Sequence, residues 1–213
     1  MIIAMANVKG GCSKSTTAVH LCAWLKKRGH SVALIDADVQ ATSSMWANAL
    51  AIDGLQVVSI EPDPDQVQDA AEELNERFDY IVIDGPGGMI EVVRQSILVA
   101  DLAVLPIQAT GPDVRAAGEA LKLLQRCRAI RKGEPPAMVF LSRVNKRTRA
   151  YAGARGALEA NPVAPCLKGM ISQKTCVADA YNAGQTVFDH QTGPGLESAR
   201  EFDELFKEML PNA

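Results

Sequence analysis

The sequence lacks any apolar run near the ~18 residues that a membrane-spanning helix needs, so none is expected. Its opening, MIIAMANV, is too short for a secretory leader and has no basic start. The five cysteines (Cys12, Cys22, Cys127, Cys166, Cys176) include no CxxC pair. That argues against a zinc or iron–sulfur centre and for reduced thiols in a cytosol. No internal repeat, low-complexity tract or linker divides the chain. With 213 residues, 47% hydrophobic and 22% charged, it is expected to form one compact domain over residues 1–213.

Net charge is small, −3, but unevenly placed. From Ala120 to Lys174 there are twelve Lys and Arg against two acids, Glu134 and Glu159, a local +10. The rest of the chain carries the acidic excess. Such a split points to a charged partner.

Short apolar runs alternate with amphipathic stretches. MIIAMAN reads as a strand, followed by a Gly-rich turn and a helix through TTAVHLCAWLKKRG, closed by Gly29. SVALIDAD, LQVVSI, DYIVIDGP, LAVLPI and AMVFLS read as five further strands. Helices are expected near 42–50, through DPDQVQDAAEELNERF, whose acidic first turn suits the helix dipole, and through GPDVRAAGEALKLLQRCRAIRKG, with Pro112 near its start and Gly133 past its end. Weaker signals place helices near 147–160, 173–183 and 194–210. Continuous apolar strands between helices predict an α/β fold, a mostly parallel β-sheet flanked by helices on both faces. Ligands of such sheets sit at the carboxyl ends of the strands, where the polar motifs of this chain fall.

The first of these motifs is NVKGGCSKSTTAVH, residues 7–20. Strand, glycine-rich turn, Lys-Ser and helix are the parts of a triphosphate cradle: N–H groups of residues 10–15, that is Gly10, Gly11, Cys12, Ser13, Lys14 and Ser15, turned toward phosphate, with the positive end of a helix behind them. Lys14 would reach the β- and γ-phosphates, Ser15 would hold Mg²⁺, and Thr16 is placed for the α-phosphate. The common GxxxxGK[ST] pattern fails at one position, where Ser13 replaces glycine. Glycine serves there where the backbone takes positive φ or approaches phosphate closely. Two more strands end in carboxylates, Asp36-Ala37-Asp38-Val39-Gln40 and Asp84-Gly85-Pro86-Gly87-Gly88. Asp84, after four apolar residues, suits a Mg²⁺ shell.

The order KGGxxKST, DxDxQ, hhhhDxP resembles the ParA/MinD class of P-loop ATPases with a deviant Walker-A loop. The likeness extends to Ala100–Gln108, to Asp113 on the helix after it, and to Ile171–Val187, and so covers nearly the whole chain. It is nearest to short ParA proteins without an N-terminal DNA-binding domain, carboxysome-positioning relatives among them. The resemblance implies ATP and Mg²⁺ as cofactors, and ATP hydrolysis. It implies a homodimer formed on ATP, in which Lys9 crosses to the partner's nucleotide. Asp38 would orient the attacking water, and Asp36 would assist with Mg²⁺-bound waters or brace the loop. The resemblance also implies that residues after the sixth strand contact the base; the matching run is Ser142-Arg143-Val144-Asn145, in which Asn145 would contact adenine or cap the next helix.

No helix-turn-helix or zinc pattern appears, and no aromatic run suited to single strands, so the basic region predicts sequence-independent phosphate contact. The residues chosen for it are Lys146, Arg147, Arg149 and Lys174. The resemblance implies a cytoplasmic, nucleoid-associated protein whose ATP-bound dimer binds DNA and is released when a small cargo adaptor stimulates hydrolysis. The cargo would be a carboxysome, or a plasmid or chromosome origin. A MinD-like membrane regulator is the alternative. The end, GLESAREFDELFKEMLPNA, is acidic and so poorly suited to anionic lipid, and its stripe of Phe202, Leu205, Phe206 and Met209 is expected to pack as core. An iron–sulfur reductase or a small-molecule ligase of the same superfamily would need cluster cysteines or a substrate-pocket signature, and neither is found.

Overall fold

In the computed structural model, which describes residues 1–213, the strands are β1 (Ile2–Met5), β2 (Val32–Asp36), β3 (Leu55–Ser59), β4 (Tyr80–Asp84), β5 (Leu102–Gln108), β6 (Ala137–Val144) and β7 (Cys166–Ser172). The helices are α1 (Lys14–Lys26), α2 (Thr42–Leu50), α3 (Pro64–Asn75), α4 (Ile90–Val99), α5 (Gly111–Ile130), α6 (Arg149–Glu159), α7 (Thr175–Asn182) and α8 (Gly193–Met209), with a 3₁₀ turn at Val187–Asp189. The strands form one sheet in the order β3-β2-β4-β1-β5-β6-β7, every neighbour parallel. The expected α/β architecture is therefore present, with helices on both faces.

Alternation along β1 shows how the layers are held. Ile3 and Met5 join Trp24 of α1 and Phe202 and Phe206 of α8 on one face. Ile2 and Ala4 join Val67, Ala71 and Leu74 of α3 and Val92 of α4 on the other. Each large apolar side chain buried this way contributes about 1.5–3 kcal/mol. Register then aligns the site: Met5 pairs with Asp84, and Asp84 with Asp36, so both carboxylates and the start of the glycine-rich loop end one row of the sheet.

Two elements carry no clear signal in the sequence. Helix α4 begins after Met89, which makes no side-chain cap, so the usual start residue is missing. Strand β7 contains Lys168 and Gly169, and its register on β6 is broken twice. As an edge strand it has a row of N–H groups to satisfy. Helix α8 supplies the acceptors: Glu208 takes the N–H groups of Lys168 and Gly169 at 2.9 and 2.8 Å, and Glu201 takes the N–H and hydroxyl of Ser172 at 2.9 and 2.7 Å. Gly169 is required for this fit, because a Cβ there would stand 2.8 Å from Leu205 Cα. The expected stripe of α8 is core, with Phe202, Leu205, Phe206 and Met209 all buried. Two of its acids close the sheet.

Buried His20 ties α1 to this C-terminal layer. Its Nδ1 lies 2.7 Å from the Thr16 carbonyl oxygen, which can only accept, so Nδ1 carries the proton. Nε2 accepts the Val187 N–H at 3.2 Å, and the ring stacks on Phe202 at 4.3 Å. Burial pushes its pKa down to about 4, against the opposing pull of the Thr16 carbonyl and Asp189. The folded pKa lies below the unfolded one, so the unfolded state binds the proton more tightly. Stability is then full above pH ~6.5 and falls between there and about 4. Thermal unfolding across that range is expected to lose stability with acid, and the loss is expected to be smaller in His20→Gln. An unchanged acid slope in the variant would remove His20 from this role.

Candidate functional site

The glycine-rich loop leaves β1 at Met5 and enters α1 at Lys14. Asn7 anchors its start, donating from Nδ2 to the Pro106 carbonyl at 2.8 Å and accepting the Lys9 N–H at 3.0 Å. From there side chains take up the loop's carbonyls. Lys9 O accepts from Lys14 Nζ at 3.1 Å, Gly11 O from the Gln108 amide, Cys12 O from the Ser142 hydroxyl at 2.9 Å, and Ser13 O from the Thr17 hydroxyl at 2.7 Å. No N–H from Gly10 to Thr16 is donated to a protein acceptor. Unpaired N–H groups at a helix N-terminus with no acid in its first turn form an anion cradle.

Two residues of the loop take left-handed backbone, Gly11 and Ser13, each with φ 76°. Ser13 therefore stands where glycine is the unstrained choice, and its side chain makes no capping hydrogen bond. Against the loop lies the segment after β4. A Cβ on Gly87 would come 2.8 Å from Gly10 Cα, and the Gly88 N–H donates to Val8 O at 2.7 Å.

Asp84 is fully buried beneath the loop, and neither carboxylate oxygen has a hydrogen-bond partner. Burial first, and the charge of Asp36, push its pKa up to about 7; the nearby Ser15 and Ser43 hydroxyls and Lys14 pull the other way. An orphaned carboxylate beside two hydroxyls and a phosphate cradle is a donor set that fits a hard divalent cation with phosphate co-ligands. Asp36 differs. One of its oxygens accepts the Asp38 N–H at 3.1 Å and the other the Ser44 N–H at 2.7 Å. Of the two roles expected for it, the structure supplies the brace for the β2–α2 loop. Half-buried Asp38 lines the cavity with Gly10, Gly11, Ser13, Lys14, Ser15 and Thr16. That cavity has a volume of about 570 Å³.

Other expected residues fall in different settings. Lys9 pairs with Asp113 of its own chain, which Thr110 also holds. Burial alone would raise the Asp113 carboxyl, but hydrogen bonds from Lys9 and Thr110 outweigh it and hold it below the usual range. Asn145 does not line the cavity and does not cap α6: its side chain accepts the Arg147 N–H at 3.2 Å in the turn before the helix, and the cap is Thr148, which accepts the Tyr151 N–H. Lys174 is on the cavity wall, bound to Glu197 at 3.2 Å and Glu201 at 3.4 Å, so it is not a free surface cation. Several cations of the basic region are tied back onto the protein, although carbonyl acceptors leave their charge in place. Arg128 donates to Pro135 and Val163 carbonyls, Arg131 to Ala100, and Arg155 to Glu159 and Leu167. Lys146, Arg147 and Arg149 remain together, exposed at the start of α6, where the first turn has no acid. Gln108 and Ser142 hold the loop by its carbonyls, a role that no motif marks, although each is a polar residue at or near the end of an apolar strand.

A parallel sheet that brings such a cradle and an unpartnered carboxylate to its carboxyl edge defines an α/β P-loop nucleotide-binding protein. Residues 3–187 match the family described as the CobQ/CobB/MinD/ParA nucleotide binding domain, and the chain belongs to that family. It is 25% identical over 214 residues to the maintenance of carboxysome distribution protein A of Halothiobacillus neapolitanus, covering 99% of this chain and 96% of that one. It is also 25% identical to the chromosome-partitioning ATPase Soj of Thermus thermophilus, over 95% and 93% of the two chains. Among solved structures, apo McdA of Cyanothece superposes with a TM-score of 0.81 at 19% identity, covering 98% of each chain. The fold is thus that of ParA/MinD-type positioning ATPases.

Ser13→Gly removes a left-handed penalty of about 1 kcal/mol. The variant is expected to melt a few degrees higher than wild type while both bind ATP. A wild type without affinity for ATP, beside a glycine variant that has it, would mean that Ser13 disables the loop.

Proposed function

We propose that this chain is a single-domain, Mg²⁺-dependent ATPase that positions a cargo over nucleoid DNA in the cytoplasm. The observation that carries the reading is the pairing of a phosphate cradle with the unpartnered Asp84 carboxylate in one aligned row of the sheet. Gly10 to Thr16 would hold the phosphates by their N–H groups, and Lys14 would turn from the Lys9 carbonyl onto the β- and γ-phosphates. Ser15 and Asp84 would hold Mg²⁺, which neutralises charge developing on the phosphate oxygens. Asp38 would accept a proton from the attacking water.

Two copies would meet face to face across the nucleotide. Lys9, its side chain 42% exposed, would leave Asp113 and reach the partner's phosphates. DNA contact is assigned to Lys146, Arg147 and Arg149. Three cations at a helix N-terminus oppose the helix dipole with no local acid to offset them, which favours an external polyanion. Lys174, being engaged by α8, drops from this set unless its ion pairs open. The membrane-bound alternative needs a free basic amphipathic helix, and α8 has its apolar stripe inside, which supports DNA over lipid. The likeness to carboxysome distribution proteins favours a carboxysome-like body as cargo over a plasmid or chromosome, with a small adaptor stimulating hydrolysis.

Retention on non-specific duplex DNA, measured with ATP, with ADP and without nucleotide, tests the proposal. ATP-dependent retention that weakens with salt is expected. The triple variant Lys146→Ala, Arg147→Ala, Arg149→Ala is expected to flatten the log–log salt slope by up to about 3 per protomer. Equal retention in all three nucleotide states would contradict the switch.

A further inference from the structure

Four buried side-chain polar atoms have no hydrogen-bond partner, and three of them share one place: both carboxylate oxygens of Asp84 and the hydroxyl of Ser43. The fourth, His190 Nε2, belongs to a ring packed on Gly195 in the C-terminal layer. Ser43 is fully buried in the first turn of α2. Register sets Asp36 of β2 beside Asp84 of β4, and Asp36 accepts the Ser44 N–H at 2.7 Å, so this turn is tied down next to the orphaned carboxylate. The Ser43 hydroxyl stands close enough to Asp84 to act on its charge, yet no hydrogen bond joins them.

Leaving that hydroxyl free is costly, because a buried polar group without a partner has lost its hydration and gained nothing. Every other buried Ser or Thr avoids the cost. Ser44, one residue on, donates back to the Ala41 carbonyl at 3.0 Å, and Thr17 and Ser96 do the same to Ser13 and Val92 at 2.7 and 2.9 Å. Ser142, Thr186 and Ser198 bond to Cys12, Asp189 and Cys176. Alanine would fill the position of Ser43 without that penalty, so packing does not account for a serine there.

A hydrated cation does account for it. Mg²⁺ usually keeps several waters when carboxylate and phosphate bind it, and those waters need oxygen acceptors. A serine oxygen can accept from such a water while its own proton goes to a carboxylate. We propose that Ser43 is a further residue of the cation site, its hydroxyl unpartnered in the free protein and engaged, together with Asp84 and Ser15, by the hydrated Mg²⁺ of a bound nucleotide. The inference rests on the reading of this cavity as a Mg-nucleotide site, and it adds to that site a residue that no motif marks.

Calorimetric affinities for ATP in Mg²⁺ and in EDTA, together with melting temperatures without ligand, in wild type and Ser43→Ala, test it. Ser43→Ala is expected to weaken Mg-ATP binding about fivefold to tenfold and to leave the affinity for metal-free ATP unchanged. Without ligand it is expected to melt no lower than wild type, since it deletes a hydroxyl that bonds to nothing. Equal losses with and without Mg²⁺, or no loss in either, would overturn the inference. So would a lower melting temperature of unliganded Ser43→Ala, which would make the hydroxyl a structural partner of Asp84. A wild type that binds ATP equally well in Mg²⁺ and in EDTA overturns the cation site itself, and one that binds ATP in neither overturns the nucleotide reading.

Discussion

The structure depends on one constraint at the end of β1: a loop of eight residues, Ala6 to Ser13, must have its carbonyls engaged while its N–H groups from Gly10 onward stay free. Four side chains enforce this from different elements. Lys14 and Thr17 act from α1, Gln108 from β5 and Ser142 from β6. The last two reach the loop only because β5 and β6 follow β1 in the sheet order, so the topology is itself part of the site. The left-handed turns at Gly11 and Ser13 are the local cost of that arrangement, and glycine would lower it at the second position.

Beneath the loop the electrostatics are poised rather than balanced. Asp36 is satisfied by two backbone N–H groups, while Asp84, beside it in register, has none. A carboxylate kept dry and unpartnered next to a row of N–H donors gains most when a cation and phosphate arrive together. The same layer reaches the C-terminal helix through His20, which joins α1 to Val187 and stacks on Phe202. Lys174 and Ser172 carry the link to the cavity wall through Glu201. Site and C-terminal layer are therefore one packed body.

Much of this was legible in the sequence. Runs such as IIAM, VALID and YIVID are buried on both faces, and a strand with that need reads as an unbroken apolar stretch. The motifs at their ends mark the site because a parallel sheet puts all those ends on one edge. The failures have a common cause. Strand β7 is an edge with Lys168 in it, and α4 has no capping residue, so neither has a local signature. Long cations are the other case. Arg128, Arg131, Arg155 and Lys174 look alike in a charge count, but their partners lie 4 to 35 residues away and are set by packing. The pairing of Lys9 with Asp113 spans 104 residues, and Arg143, with φ 51°, falls where the register of β6 on β7 breaks.

The central claim is that the loop and the buried Asp84 carboxylate form one Mg-nucleotide site. Titration of ATP with and without Mg²⁺ between pH 6 and 8, in buffers of different ionisation enthalpy, tests it most directly. An Asp84 carboxyl with a pKa of about 7 in the free protein must lose its proton to hold the cation. The account predicts Mg²⁺-dependent proton release that is largest near pH 6 and fades by pH 8, in excess of that seen with Asp84→Asn. Identical affinity and proton release with and without Mg²⁺, or in wild type and Asp84→Asn, would contradict it.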